Sequence, residues 1–231
     1  MKKNAYLTIL TIVTVLCIII GVGIRVIKAS NWLKNTFSNT SITTDKSEVI
    51  KLDNFDSISL SAEIANIDIS NGDSFTLEYE IGSNATLEYE VSDGTLTIKQ
   101  KVKTKMFNNN EKYNIIITVP ENTKLENVEI EANVGDIDLE SLDTNFCYIS
   151  ADVGDIDLSD ITFNTMEIDA NVGDVNIKSK EDLSKSTIEV TNDIGDVSVN
   201  REKQGKEFSQ KGSDNKKLTI TSDVGEVKIT Y

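Results

Sequence analysis

Residues 149–159 read ISADVGDIDLS, and the same phrase stands at residues 130–140 as IEANVGDIDLE and at residues 168–178 as IDANVGDVNIK, a period of 19 residues. Two looser copies follow, VTNDIGDVSVN at residues 190–200 and ITSDVGEVKIT at residues 220–230; a degenerate copy, LSAEIANIDIS, precedes them at residues 60–70. A phrase recurring at such a period marks stacked units, each laying its apolar face against the next. Within one copy Ile130, Ala132 and Val134 alternate with Glu131 and Asn133, the period of two of a half-buried strand. Beyond Gly135 the apolar positions become Ile137 and Leu139, so the chain must turn or bulge at Gly135 and Asp136 to keep both runs on one core. Glycine reaches positive φ at little cost. Gly135, Gly154, Gly173, Gly195 and Gly225 are therefore the expected structural corners; Ala65 stands at that place in the early copy, where the corner must differ in shape or be strained.

These units predict an all-β fold: a parallel β-solenoid with equivalent residues stacked about 4.8 Å apart. Stacking in sequence order gives two expected core ladders. One is Val134, Val153, Val172, Ile194 and Val224; the other is Ile137, Ile156, Val175, Val197 and Val227.

The N-terminus is of another kind. Residues 5–24 carry no charge and are rich in Ile, Leu, Val and Thr, enough at about 1.5 Å per residue to cross a hydrocarbon core of about 30 Å. Residues 1–28 are read as a cytoplasmic tail and one transmembrane helix, and residues 29–47, rich in Asn, Ser and Thr, as a tether. A cleavable signal peptide is the rival, with Ile27 and Ala29 before the cut, but Arg25 and Lys28 sit where a cleavage region is usually uncharged. Leu16 before Cys17 argues against lipoprotein attachment. Lys2 and Lys3 are balanced by Arg25, Lys28 and Lys34, so charge does not set the orientation; a short N-terminal tail favours the repeats outside the cell.

Residues 1–28 hold four basic and no acidic side chains, which leaves 38 acidic against 23 − 4 = 19 basic in the remainder, a net charge of −19. That balance excludes simple nucleic-acid binding, which rests on Lys and Arg against phosphates. Cys147 is the lone cysteine beyond residue 28 and reads as a small buried apolar residue. The chain has no histidine, no phosphate loop, and no Ser or Cys with a base at motif spacing, so no enzyme and no cofactor are expected. The pairs Asp136 with Asp138 and Asp155 with Asp157 recur in successive units and so serve the scaffold rather than one reaction.

Residues 48–231 form the expected repeat domain, with a strand-rich subregion at 48–120 and regular Gly-Asp repeats at 121–231. A type I′ turn at Asp93 and Gly94 would set Glu88 opposite Lys99 and Tyr89 opposite Ile98, matching charge and face together. Lys99, Lys101, Lys103 and Lys105 then form a solvated edge. Residues 201–217, carrying Lys203, Lys206, Lys211, Lys216 and Lys217, read as a solvated basic loop.

Residues 113–120, YNIIITVP, lead through a short turn into ENTKLENVEIEANVGDIDLE. This arrangement, a strand ending in Val-Pro followed by strand-Gly-Asp-strand units, resembles a bacterial adhesin-like family of unknown function with β-strand repeats. The resemblance spans residues 48–231. It implies a cell-envelope protein engaged in surface interaction or envelope stress, and it carries no catalytic residues. Ala65 and the insertion before the last copy depart from the pattern.

Stacked in register, Asp136, Asp155, Asp174, Asp196 and Glu226 would form an acidic ladder. Calcium would relieve its repulsion, which makes Asp136, Asp155, Asp174 and Asp196 candidate metal ligands. The competing expectation is that these carboxylates accept backbone hydrogen bonds at the corners. The sequence thus points to a non-enzymatic, membrane-anchored module outside the cell that binds a protein or envelope partner, with calcium-binding surface repeats as the alternative.

Overall fold

The computed structural model describes residues 48–103 and 112–231. The expected membrane helix and tether lie outside the described residues, and among the described residues no helix is long and apolar enough to cross a membrane.

Every described element is a strand. The repeat units fold as rungs with two faces. On the first face run β2 (Ser57–Ala62), β8 (Lys124–Val134) and β10 (Asp143–Val153). On the second face run β3 (Asn66–Gly72), β9 (Ile137–Glu140) and β12 (Val175–Ser179). The 17-residue β11 (Ile156–Val172) serves both: its start pairs with β9 and β12, its end with β10. All these pairings are parallel and hold equivalent residues side by side, as Ile130 against Ile149 and Ile149 against Ile168. The parallel solenoid follows from the 19-residue repeat because a one-residue slip would turn each apolar set outward.

Between the faces lies one apolar core. Leu60, Ile130, Ile149, Ile168, Ile220 and Val190 stack within the first face, and Ile67, Ile137, Ile156, Val175, Val227 and Val197 within the second; all are buried. The second of the expected ladders is therefore in the core. The first is not: Val134, Val153, Val172, Ile194 and Val224 are 39–63 % exposed. The period of two ends at Ala132, three residues before the glycine, and Asn133 and Val134 both face solvent before Ile137 returns inward. The corner is wider than the apolar pattern suggests.

The order of rungs also departs from the sequence. The last copy, β17 (Lys217–Val224) and β18 (Val227–Thr230), inserts between β11–β12 and the preceding copy, β13 (Thr187–Ile194) and β14 (Val197–Val199). The insertion that precedes it is not a solvated loop. It forms β15 (Glu202–Gly205) and β16 (Glu207–Gln210), which pair antiparallel with β14 and β13 and cover the far end of both faces.

Antiparallel strands cover the near end as well. β5 (Ala85–Ser92) turns at Asp93 and Gly94, both at positive φ, into β6 (Thr95–Val102), with Glu88 opposite Lys99 and Tyr89 opposite Ile98. β6 lies between β5 and β2, so Lys99, Lys101 and Lys103 are solvated but are not on an edge; Lys105 lies outside the described residues. On the second face β4 (Thr76–Glu80) and β1 (Glu48–Lys51) follow β7 (Asn114–Pro120), which pairs with β3. Capped ends keep the parallel stack from recruiting further strands.

Candidate functional site

The corners hold the residues the sequence singles out. Gly154 has φ 147°, and a Cβ built there would lie 2.0 Å from the carbonyl oxygen of Gly135; Gly135 stands in the same way against the carbonyl of Ala65. Two constraints therefore select glycine, backbone conformation and contact between successive corners. Ala65 meets neither: it ends the glycine stack, and its φ is not positive. Its corner differs in shape.

Beside each glycine, the aspartates form a staircase. The Asp136 N–H donates to Asn66 Oδ1 at 3.2 Å, the Asp155 N–H to Asp136 Oδ1 at 3.0 Å, the Asp174 N–H to Asp155 Oδ1 at 2.8 Å, and the Glu226 N–H to Asp174 Oδ1 at 2.8 Å. Each carboxylate thus satisfies a backbone donor of the next rung rather than of its own turn. Asp196, on the last rung, has no further rung to serve and pairs with Lys203 of β15 at 2.6 Å. Among the described residues, no three His, Cys, Asp or Glu side chains gather to hold a metal ion.

A second acidic column runs along the strands of the second face, Asp68 beside Asp138 beside Asp157. Burial first, then the charges of Asp68, Asp157 and Asp136, push the Asp138 carboxyl above its usual range; burial does the same to Asp68. One rung on, Asn176 Nδ2 donates to Asp157 Oδ1 at 2.9 Å and relieves the repulsion there. Asn171 donates likewise to Asp152 at 2.9 Å.

Two features escape a reading of the apolar pattern. The rungs turn a second time at non-glycine residues in the left-handed region, Ser141 (φ 58°) and Asp160 (φ 53°), again 19 residues apart. The small-residue column of Ala62, Ala132, Ala151, Ala170 and Ser222 ends on buried amides, Gln100 at one end and Asn192 at the other. Gln100 Oε1 accepts from the Ile64 N–H at 2.9 Å, and Asn192 Nδ2 donates to the Gly225 carbonyl at 2.8 Å. An amide where other copies carry alanine is the signal that marks a terminal rung.

Cys147 is buried, and burial pushes its thiol up to about 12, which leaves it protonated and unreactive. A cleft beside the first rung is lined by Ile64, Ala65, Asn66, Tyr113 and Val134. Its titratable side chains are Lys112 and Tyr113.

The sequence profile described as Toastrack DUF4097 matches residues 55–231. The chain belongs to this family. No curated protein matches it. Among solved structures, this Toastrack chain is similar to a candidate cell adhesion protein from Clostridium sporogenes ATCC 15579 at 15 % identity and TM-score 0.55, covering 81 % of this chain and 99 % of that one. A candidate adhesin from Bacteroides fragilis NCTC 9343 matches at 16 % identity and TM-score 0.36, covering 82 % and 99 %. The first likeness supports the fold.

Proposed function

We propose that this chain is a non-enzymatic interaction module on the outside of a bacterial cell, held at the membrane by residues 5–24, which binds a protein or envelope partner through the outer columns of its rungs. The observation that carries this reading is repetition: like side chains stand in register on the solvent side over five rungs, as Val134, Val153 and Val172 do beside Asp136, Asp155 and Asp174. A catalytic centre needs one set of unlike groups at one place. A ladder of like groups instead offers an extended contact surface. The adhesion role assigned to the Clostridium sporogenes relative is in keeping with it.

Calcium binding by Asp136, Asp155, Asp174 and Asp196 is the weaker reading, because backbone donors already occupy one oxygen of the first three and Lys203 neutralises the fourth.

Crosslinking in intact cells, with the full chain and with a version lacking residues 48–231, tests the proposal. The full chain should stay in the membrane fraction with its N-terminus intact and capture a specific partner that the shortened chain does not. A mature protein beginning at Ser30 would remove the anchor, and identical captures would remove the interaction.

A further inference from the structure

The apolar column at the corners has no structural duty that explains its chemistry. In spatial order it runs Val134, Val153, Val172, Val224, Ile194, all on the solvent side. A β-branched residue suits a strand end, but threonine has the same branching and costs less in water. None of the five is threonine. Stacked at about 4.8 Å, they make an apolar stripe roughly 19 Å long.

Carboxylates border the stripe on both sides. Asp136, Asp155, Asp174, Glu226 and Asp196 follow it at every rung; Asp152, Asp223 and Asp193 precede it at three, with Asn133 and Asn171 at the other two. Among the described residues, no lysine or arginine makes a salt-bridge contact with Asp136, Asp152, Asp155 or Asp174, although the charge of Lys228 reaches Asp174, and the far end is partly neutralised by Lys203 on Asp196 and Lys228 on Glu226. An exposed apolar strip with a polar border marks a contact surface, and its charge selects the occupant. A second copy would bring two acidic borders together. An anionic lipid surface would meet the same repulsion.

Pitch narrows the choice further. Along the stripe an α-helix repeats every 5.4 Å or so and drifts from the rungs by about 2–3 Å over the stripe's length. An extended strand presents same-side residues about 6.8 Å apart and drifts by about 8 Å.

We propose that the Val134–Val153–Val172–Val224–Ile194 stripe is a docking track for a cationic amphipathic helix of a partner protein, its apolar residues on the stripe and its lysines or arginines on the bordering carboxylates. The inference deepens the interaction reading and rests on it.

The test uses the purified full chain and a fluorescent 14-residue lysine–leucine helical peptide with its leucines in one stripe, the length set by roughly 19 Å at about 1.5 Å per residue. Anisotropy should show saturable binding that weakens as salt rises from about 50 to about 500 mM. Val153→Ser with Val172→Ser should weaken it about tenfold or more with the thermal midpoint kept. Asp155→Asn with Asp174→Asn should weaken it less and flatten the salt dependence. A scrambled peptide of the same composition should bind poorly. Equal binding of the scrambled peptide, equal binding by the valine double variant, or self-association that the double variant abolishes would each overturn the inference. If crosslinking captures a partner that the double variant captures equally well, the track is wrong and the interaction module stands.

Discussion

At Gly154 two independent penalties fall on any side chain. Left-handed backbone strains an L-residue, and the Gly135 carbonyl stands 2.0 Å from where its Cβ would lie. Gly154→Val is expected to cost on the order of 2–6 kcal/mol, whereas Asp157→Ser on the solvent side should stay within about 0.5 kcal/mol; chemical denaturation of both variants measures the contrast. Asp138 behaves in the opposite sense. Its carboxyl holds a proton more tightly folded than unfolded, so stability is lost as pH rises from the ordinary carboxylate value through the raised one. Asp138→Asn removes the repulsion and places an amide beside Asp157, as Asn176 already does from the other side. Its melting temperature should exceed the parent's by about 1–3 °C at pH 7, with the gap closing on acidification. A gap that widens in acid would show that burial and its neighbours do not govern this carboxyl.

Elements were legible in proportion to how strongly their residues repeat. The corners, the second-face ladder and the Asp93–Gly94 hairpin could be read from spacing because each is fixed by a glycine or by a charge pair in register. The valine column could not, since the apolar alternation of Ile130, Ala132 and Val134 continues in the sequence while burial stops after Ala132. β15 and β16 were hidden for another reason. EKQG and EFSQ show no buried alternation, Phe208 alone packing against the core, and pairing with β13 and β14 makes them strands. Their role can be measured. Replacing residues 201–212 by a Gly-Ser linker uncovers the free sides of β13 and β14, and light scattering should then find dimers or larger species where the parent is monodisperse. A monodisperse variant would mean that the far end needs no cover.

On the scale of the molecule, charge is the dominant surface property, with the portion beyond residue 28 carrying a formal −19 from 38 acidic and 23 − 4 basic side chains. Millimolar calcium should raise the melting temperature slightly, and sodium chloride at matched ionic strength should do the same, because screening of the acidic columns is all that either supplies. Asp155→Asn should leave the two salts equivalent. Saturable heat in the micromolar range that this variant abolishes would restore the calcium reading. Rung order was the least legible property, since each copy has nearly the same apolar pattern; the Asn192 amide, where the other regular copies carry Ala or Ser, marks the terminal copy. That order bears on how the protein is made. A chain emerging from a ribosome or crossing a membrane N-terminus first presents residues 187–199 before residues 217–230, yet the later segment occupies the inner berth. Rungs up to Ser179 can assemble while synthesis continues, but β13 and β14, already paired with β16 and β15, lack their inner neighbours until residues 217–230 arrive. The inner joint of this stack therefore closes only once residues 217–230 have been made, and a chain cut short before residue 217 is left with β13 and β14 unjoined to β11 and β12.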